Sequence, residues 1–250
     1  MTYSAGPQGA HIGGSLSLCE ILSVLYHDTM KYDKDNPADP SRDRLILSKG
    51  HGAIALYAAL KSIGLFSDEE LASYKHDGSI LTAHPTYLPE KGMEFASGSL
   101  GQGLSIGVGV ALALKRKANP AKIFVIVGDG ECNEGSVWEA ASSASHYGLD
   151  NLVCIVDKNM LQYDGNTADI LDMGDLSQKF RSFGWDTEEC NGHDCDELSK
   201  AFSCSHDKPL AVICNTVKGK GISFIEGQYK WHNSSLTEAQ FNDAMKELES

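Results

Sequence analysis

Two apolar runs, residues 123–127 (IFVIV) and 152–156 (LVCIV), each stop abruptly at polar, turn-forming sequence. Both are hydrophobic at every position rather than alternating, the pattern of strands buried on both faces of a parallel sheet. The first passes into Gly128-Asp129-Gly130 and the second into Asp157-Lys158-Asn159. Open α/β sheets bind ligands beyond the carboxyl ends of their strands, so Asp129 and Asn159 could converge on one metal ion. A hard divalent cation takes oxygen ligands, and Mg²⁺ commonly uses one or two protein groups together with phosphate oxygens. Exposed turn amides, a carboxylate and a side-chain amide therefore suit a metal-bridged diphosphate.

Elsewhere, helical periodicity alternates with short β-branched runs. The fold class this predicts is α/β, a parallel sheet with helices on both faces. At 250 residues the chain reads as a single domain with a full core, spanning residues 1–250. Helical spacing marks 16–29, 53–63, 101–117, 175–183 and 194–205, and a further strand is expected over 210–215. Residues 31–44 read as a loop, and 78–98, with several Gly and Pro residues, as a loop over the site. The Ala- and Gly-rich segment 101–117 implies close packing against another element or across a subunit interface. Three capping boxes, Ser67/Glu70, Ser136/Glu139 and Thr237/Gln240, predict helix starts. The helix opened by Ser136 is expected to run to Tyr147.

A net charge of −13 argues against nucleic acid and anionic membrane as partners. It also makes a bridging metal more useful for an anionic ligand. No apolar stretch reaches the length of a membrane span, and the first residues lack the basic and apolar regions of a signal peptide. Seven cysteines without regular spacing suggest reduced thiols, so a cytoplasmic location is expected. Cys190, His193 and Cys195 fit no closed four-ligand site and read as a solvated loop, while Cys132 reads as structural.

Four histidines sit in glycine- or proline-containing contexts rather than on helix faces: His11 in HIGGSLS, His51 in LSKGHG, His84 in LTAHP and His232 in KWHN. Taken singly, each reads best as a surface or capping residue, and spacing alone does not bring them together. The motifs HIGGSLS, LSKGHGA, ASGSLGQG, GDGECNEGSVWEAA and VDKN, followed by KGKG and WH, occur in the order seen in transketolases. The resemblance covers about residues 5–235. The chain resembles the amino-terminal, diphosphate-binding half of a thiamine diphosphate-dependent transketolase, of the type split over two polypeptides.

That resemblance implies a set of roles. Asp129, Asn159 and the carbonyl of Leu161 would ligate Mg²⁺ or Ca²⁺, while Gly128 and Gly130 let the backbone approach the diphosphate, to which His51 donates. Leu100 and Gly101 would lie beside the aminopyrimidine. His84 would sit near the reactive end of the cofactor, with His11 and His232 binding substrate hydroxyls and relaying protons. Glu134 would communicate with the other subunit, or act simply as a carboxylate at a helix start. The cofactor would serve as electron sink for the carbanion left by carbon–carbon cleavage, and a two-carbon ketol unit from an anionic ketose would pass to an aldose.

Full-length members of the family also carry a pyrimidine-binding domain, a C-terminal domain and a further helix before HIGGSLS. A partner chain of roughly 300 residues, two domains of ordinary size, would supply the two domains. The expected assembly is an α₂β₂ heterotetramer. Competing readings are a 1-deoxyxylulose-5-phosphate synthase-like half, a 2-oxoacid dehydrogenase α-like half, and a non-catalytic partner subunit of the same fold.

Overall fold

The computed structural model describes Met1 and residues 6–249. At its centre lie five parallel strands, β1 (Arg44–Leu47), β2 (Ile123–Gly128), β3 (Leu152–Lys158), β4 (Asp186–Asn191) and β5 (Leu210–Asn215), in the spatial order β1-β2-β3-β5-β4. The helices are α1 (Ile12–Leu16), α2 (Cys19–Val24), α3 (Ala53–Ser62), α4 (Asp68–Ala72), α5 (Gln102–Arg116), α6 (Gly135–His146), α7 (Thr167–Leu171), α8 (Leu176–Ser182), α9 (Cys195–Ser203) and α10 (Glu238–Leu248). Among the described residues, no helix is long and apolar enough to cross a membrane.

Side chains alternate across the sheet, so each apolar run feeds two cores. Leu45, Leu47, Phe124, Ile126, Val153, Ile155 and Val212 face a core shared with α2, α3 and α9. Ile46, Val125, Val127, Cys154, Val156 and Ile213 face the other way, toward α5, α6 and α8. Full burial of each such aliphatic side chain contributes roughly 1.5–3 kcal/mol. The register aligns Gly128 with Asp157 and Lys158 with Asn215, so the polar residues that end each run share one edge.

Small residues in α5 allow the close packing expected of them. A side chain at Gly107 would collide with Val125 of β2. The capping boxes at Ser67/Glu70 and Thr237/Gln240 are both formed. The one expected at Ser136/Glu139 is not, because α6 begins at Gly135 with Glu134 as its N-cap, two residues earlier than that box would start it. Ser136 Oγ instead donates to the carbonyl of Gly101 at 3.0 Å, which ties the start of α6 to the turn before α5.

The single helix expected over 16–29 is also corrected. It starts earlier, at Ile12, and divides into α1, α2 and a π turn over Leu25–Thr29. Ser15 and Ser17 donate to the carbonyls of His11 (2.8 Å) and Gly14 (3.2 Å), which draws the backbone out of one continuous helix. Strand β1 offers an apolar run of only three residues, Leu45 to Leu47, and β4 offers none. β1 has four residues, and β4 (DTEECN) is a polar edge strand, where charge deters pairing with other chains.

Candidate functional site

The carboxyl edge of the sheet is organised around a buried carboxylate. Asp157, at the end of β3, is fully buried and accepts from Ser17 Oγ at 2.7 Å, Asn159 Nδ2 at 3.1 Å, Thr216 Oγ1 and the ammonium of Lys49. Burial pushes its carboxyl up, but the Lys49 charge and these donors outweigh burial and hold it below the ordinary range. Lys49, equally buried, also donates to the carbonyl of Gly14 at 3.1 Å, tying the HIGG segment to the sheet.

Above this pair lies the turn after β2. Asp129 accepts from the amides of Gly130 (2.9 Å) and Met160 (2.7 Å), so the β2 and β3 turns are joined through it. Burial, reinforced by the charge of Asp157, pushes the Asp129 carboxyl up to about 6. Asn159 Oδ1 accepts from the amide of Leu161 at 3.1 Å, and the Leu161 carbonyl accepts from Lys218 Nζ at 3.1 Å. Each of these oxygens keeps a free lone pair. A carboxylate, a side-chain amide and a carbonyl form an oxygen-only donor set that a hard cation can use. Among the described residues, no group of three or more His, Cys, Asp or Glu side chains is gathered for a metal.

The four loop histidines come together here. The His11 ring lies 5.5 Å from His51, 5.7 Å from His84 and 5.5 Å from His232, and His51 lies 4.9 Å from His232. A backbone bridge between Ala10 and Ser234, with bonds of 2.9 and 3.0 Å, brings the segment before α1 beside the segment before α10. Gly13 permits that approach, since a side chain there would stand 2.9 Å from the Trp231 carbonyl. His84 arrives from the predicted loop, with Thr82 donating to its carbonyl at 2.6 Å.

Burial, then neighbouring positive groups, keeps these imidazoles neutral. It lowers His11 to about 4, aided by His84, and His232 to about 3, aided by Lys218. His51 falls well below its usual value through burial and Lys49, and His84 falls through burial and Lys75. Lys218 itself is lowered by burial to about 8, so it stays largely charged at neutral pH. Its Nζ lies 2.9 Å from His232 Nδ1. The charged amine can only donate, which leaves the imidazole proton on Nε2.

A cavity of about 320 Å³ opens between the two turns, lined among others by Lys49, His51, Leu100, Asp129, Glu134 and His232. His11 and His84 stand beside it through their ring contacts. Gly101 adopts φ +80°, the left-handed region that favours glycine, and opens α5. Its amide donates to Glu131 Oε1 at 2.7 Å, while Glu131 also accepts from Gly128 N at 3.1 Å and from Ser48 Oγ. Glu134 is exposed and, though it stands at the N-cap of α6, makes no side-chain cap. Gly130 has little room for a side chain because Gln162 Oε1 would stand 2.7 Å from it. A larger groove of about 630 Å³ lies at the amino ends of the strands, by Lys122, Asn151 and Ser205, and gathers none of these residues.

All the candidate residues named from the sequence thus meet at one edge. Sequence reasoning missed Lys49, Glu131, Asp157, Thr216 and Lys218, five residues that hold the others in place. Four lie inside quoted motifs, and a charged residue closing an all-apolar strand, as Asp157 does, was an available signal. The cysteines are all free. Cys132 is buried, with its thiol pushed well up by burial. Cys190 corrects the solvated-loop expectation: it is buried on β4 with its sulfur 3.8 Å from that of Cys214. His193 accepts from the amide of Val217 at 2.8 Å and faces Glu20 at 3.1 Å.

The family "Transketolase, thiamine diphosphate binding domain" matches residues 4–249. The "6-deoxy-6-sulfo-D-fructose transketolase subunit SqwG" of Clostridium sp. (strain MSTE9) is 45% identical over 96% of this chain and 88% of its own length. One of the subunits of the apulose-4-phosphate transketolase of Phocaeicola vulgatus is 41% identical over 96% of this chain and 86% of its own. The structure superposes on transketolase from Campylobacter jejuni with a TM-score of 0.90 at 31% identity, covering 99% of this chain but only 41% of that one. Transketolase from Leishmania mexicana gives a TM-score of 0.90 at 28% identity, with 40% of its length covered. The chain therefore spans less than half of those solved transketolases and most of the subunit relatives. It belongs to the family of transketolase thiamine diphosphate-binding domains.

Proposed function

We propose that this chain is the amino-terminal subunit of a two-chain, thiamine diphosphate-dependent transketolase that moves a two-carbon ketol unit from an anionic ketose to an aldose. The observation that carries the reading is the convergence of His11, His51, His84 and His232 on the cavity bounded by Asp129 and Asn159. Thiamine diphosphate, when bound, supplies a nucleophilic carbon and an electron sink for carbon–carbon cleavage.

This chain's residues would hold and serve it. Asp129, Asn159 and the Leu161 carbonyl would ligate Mg²⁺ or Ca²⁺, with Gly128, Gly130 and His51 beside the diphosphate and Leu100 and Gly101 beside the aminopyrimidine. Residues 1–250 would form the single diphosphate-binding domain, with the pyrimidine-binding and C-terminal domains on a partner of roughly 300 residues in an α₂β₂ assembly. Glu134, exposed and not capping its own helix, suits contact with another subunit. A cytoplasmic location fits seven free thiols.

His84, His11 and His232 would handle the hydroxyl protons of a ketose. Neutral imidazoles both donate and accept, which hydroxyl binding requires. Values near 4 and 3 are too low for proton abstraction at neutral pH. The negative charge of a diphosphate bound beside them would raise them toward the useful range. His232 presents Nε2–H, because Lys218 engages Nδ1.

The test is a two-carbon transfer assay on the chain combined with its partner, thiamine diphosphate and Mg²⁺, using phosphorylated and sulfonated ketoses as donors. Transfer to an aldose with both chains present, and none with either alone, is the expected result. Decarboxylation of a 2-oxoacid without ketol transfer would replace this reading with a synthase- or dehydrogenase-like one.

A further inference from the structure

Resting on the cation reading above, we infer that the buried Lys49–Asp157 pair is a positioning device that fixes which way the Asn159 carboxamide points, and so sets the affinity of the cation site. A carboxamide has two ends of nearly equal shape and opposite chemistry, an acceptor oxygen and a donor NH₂. Only the oxygen can ligate a hard cation. Asn159 is buried, and its ends are engaged unequally: Nδ2 donates to Asp157 Oδ2 at 3.1 Å, and Oδ1 accepts from the Leu161 amide at 3.1 Å. A flipped carboxamide would set oxygen against a carboxylate and NH₂ against an N–H. The observed orientation leaves a lone pair of Oδ1 for a cation.

Asp157 is itself heavily engaged. Its Oδ2 takes Ser17 Oγ, Lys49 Nζ and Asn159 Nδ2, and its Oδ1 takes Thr216 Oγ1. With four side-chain donors on it, this carboxylate is committed behind the ligand shell rather than in it. Lys49 balances the charge and anchors the pair through the Gly14 carbonyl. Partners of this kind, one step removed from a metal, typically change its affinity 10–100-fold when replaced.

The experiment uses the chain assembled with its partner and thiamine diphosphate, with Mn²⁺ titrated in and free Mn²⁺ read by electron paramagnetic resonance. The double variant Lys49→Met/Asp157→Leu replaces the pair with apolar side chains, which avoids leaving a lone buried charge. Its Kd for Mn²⁺ should rise 10–100-fold. Adding Asn159→Asp should recover the lost affinity, because a carboxylate offers oxygen at both ends and needs no orienting.

A double variant that binds Mn²⁺ as the wild type does overturns the inference and leaves the cation reading intact. A triple variant that recovers nothing also overturns it, since a structural defect is not rescued by an extra oxygen. A wild-type complex that binds no Mn²⁺ defeats the cation reading and the inference together. Should the double variant not fold, the crystal structure of the wild-type Mn²⁺ complex decides. Asn159 Oδ1 on the metal with Nδ2 on Asp157 upholds the inference, and a carboxamide turned away from Asp157 overturns it.

Discussion

Asp129 and His232 face the same cavity but are built for different work. The Asp129 carboxylate is gripped by two backbone amides, one from each turn, so it is fixed before any ligand arrives. Asp129→Ala should abolish Mg²⁺-dependent thiamine diphosphate binding, measured by quenching of intrinsic fluorescence. Undiminished Mg²⁺-dependent binding would remove Asp129 from the cation site. His232 is held from behind by Lys218 and faces the cavity with its remaining edge, beside the exposed ring of Tyr163 at 5.3 Å. His232→Ala should lower kcat by a factor of 10²–10⁴, the usual range for a lost proton-transfer group, with the Kd for cofactor nearly unchanged. A large loss of cofactor affinity in that variant would move His232 from substrate handling to cofactor binding.

Among the elements, α4 and α5 show how local chemistry fixes boundaries. In α4 the Ser67/Glu70 box is reciprocal, with bonds of 3.2 and 2.8 Å. Ser67→Ala should destabilise the chain by about 1 kcal/mol in denaturant unfolding, as loss of an N-cap does. In α5 the left-handed Gly101 is pinned by Glu131, and a side chain there would meet Glu134 Cβ at 2.7 Å. Gly101→Ala should cost more than the roughly 1 kcal/mol of the backbone conformation alone and weaken cofactor binding. Stability equal to wild type would mean that the turn is free to relax.

These elements also mark what could be read without coordinates. β2, β3 and β5 were legible because strands buried on both faces must be apolar throughout. β4 was not, because one side of an edge strand has no neighbour and tolerates DTEECN. Likewise Asp129 and Asn159 were visible as the polar ends of apolar runs. The meeting of His11 with His232 was hidden, because it depends on a bridge between residues 10 and 234, far apart in sequence.

At the scale of the whole molecule, the histidine cluster couples the site to acid stability. His11, His51, His84 and His232 all have lowered values, so the folded chain takes up these protons less readily than the unfolded one. Their neutral forms support the fold above the ordinary histidine value of about 6.5, and that support is lost as pH falls below it, down toward the folded values. Asp129, raised to about 6, acts in the opposite sense over part of this range. Unfolding free energy should therefore fall from pH 6.5 toward 4 less steeply in His11→Asn than in wild type. Parallel profiles would show that His11 is not buried as the fold requires. Bound diphosphate, whose negative charge favours protonated imidazoles, should make the same acid loss shallower.

On this reading the chain forms half of a cofactor-dependent enzyme. Native mass spectrometry of the chain isolated from its source cells, with thiamine diphosphate and Mg²⁺ present, is the decisive test. The expected species is a complex containing a second polypeptide of roughly 300 residues, with cofactor bound. A homo-oligomer of this chain carrying no cofactor would contradict it.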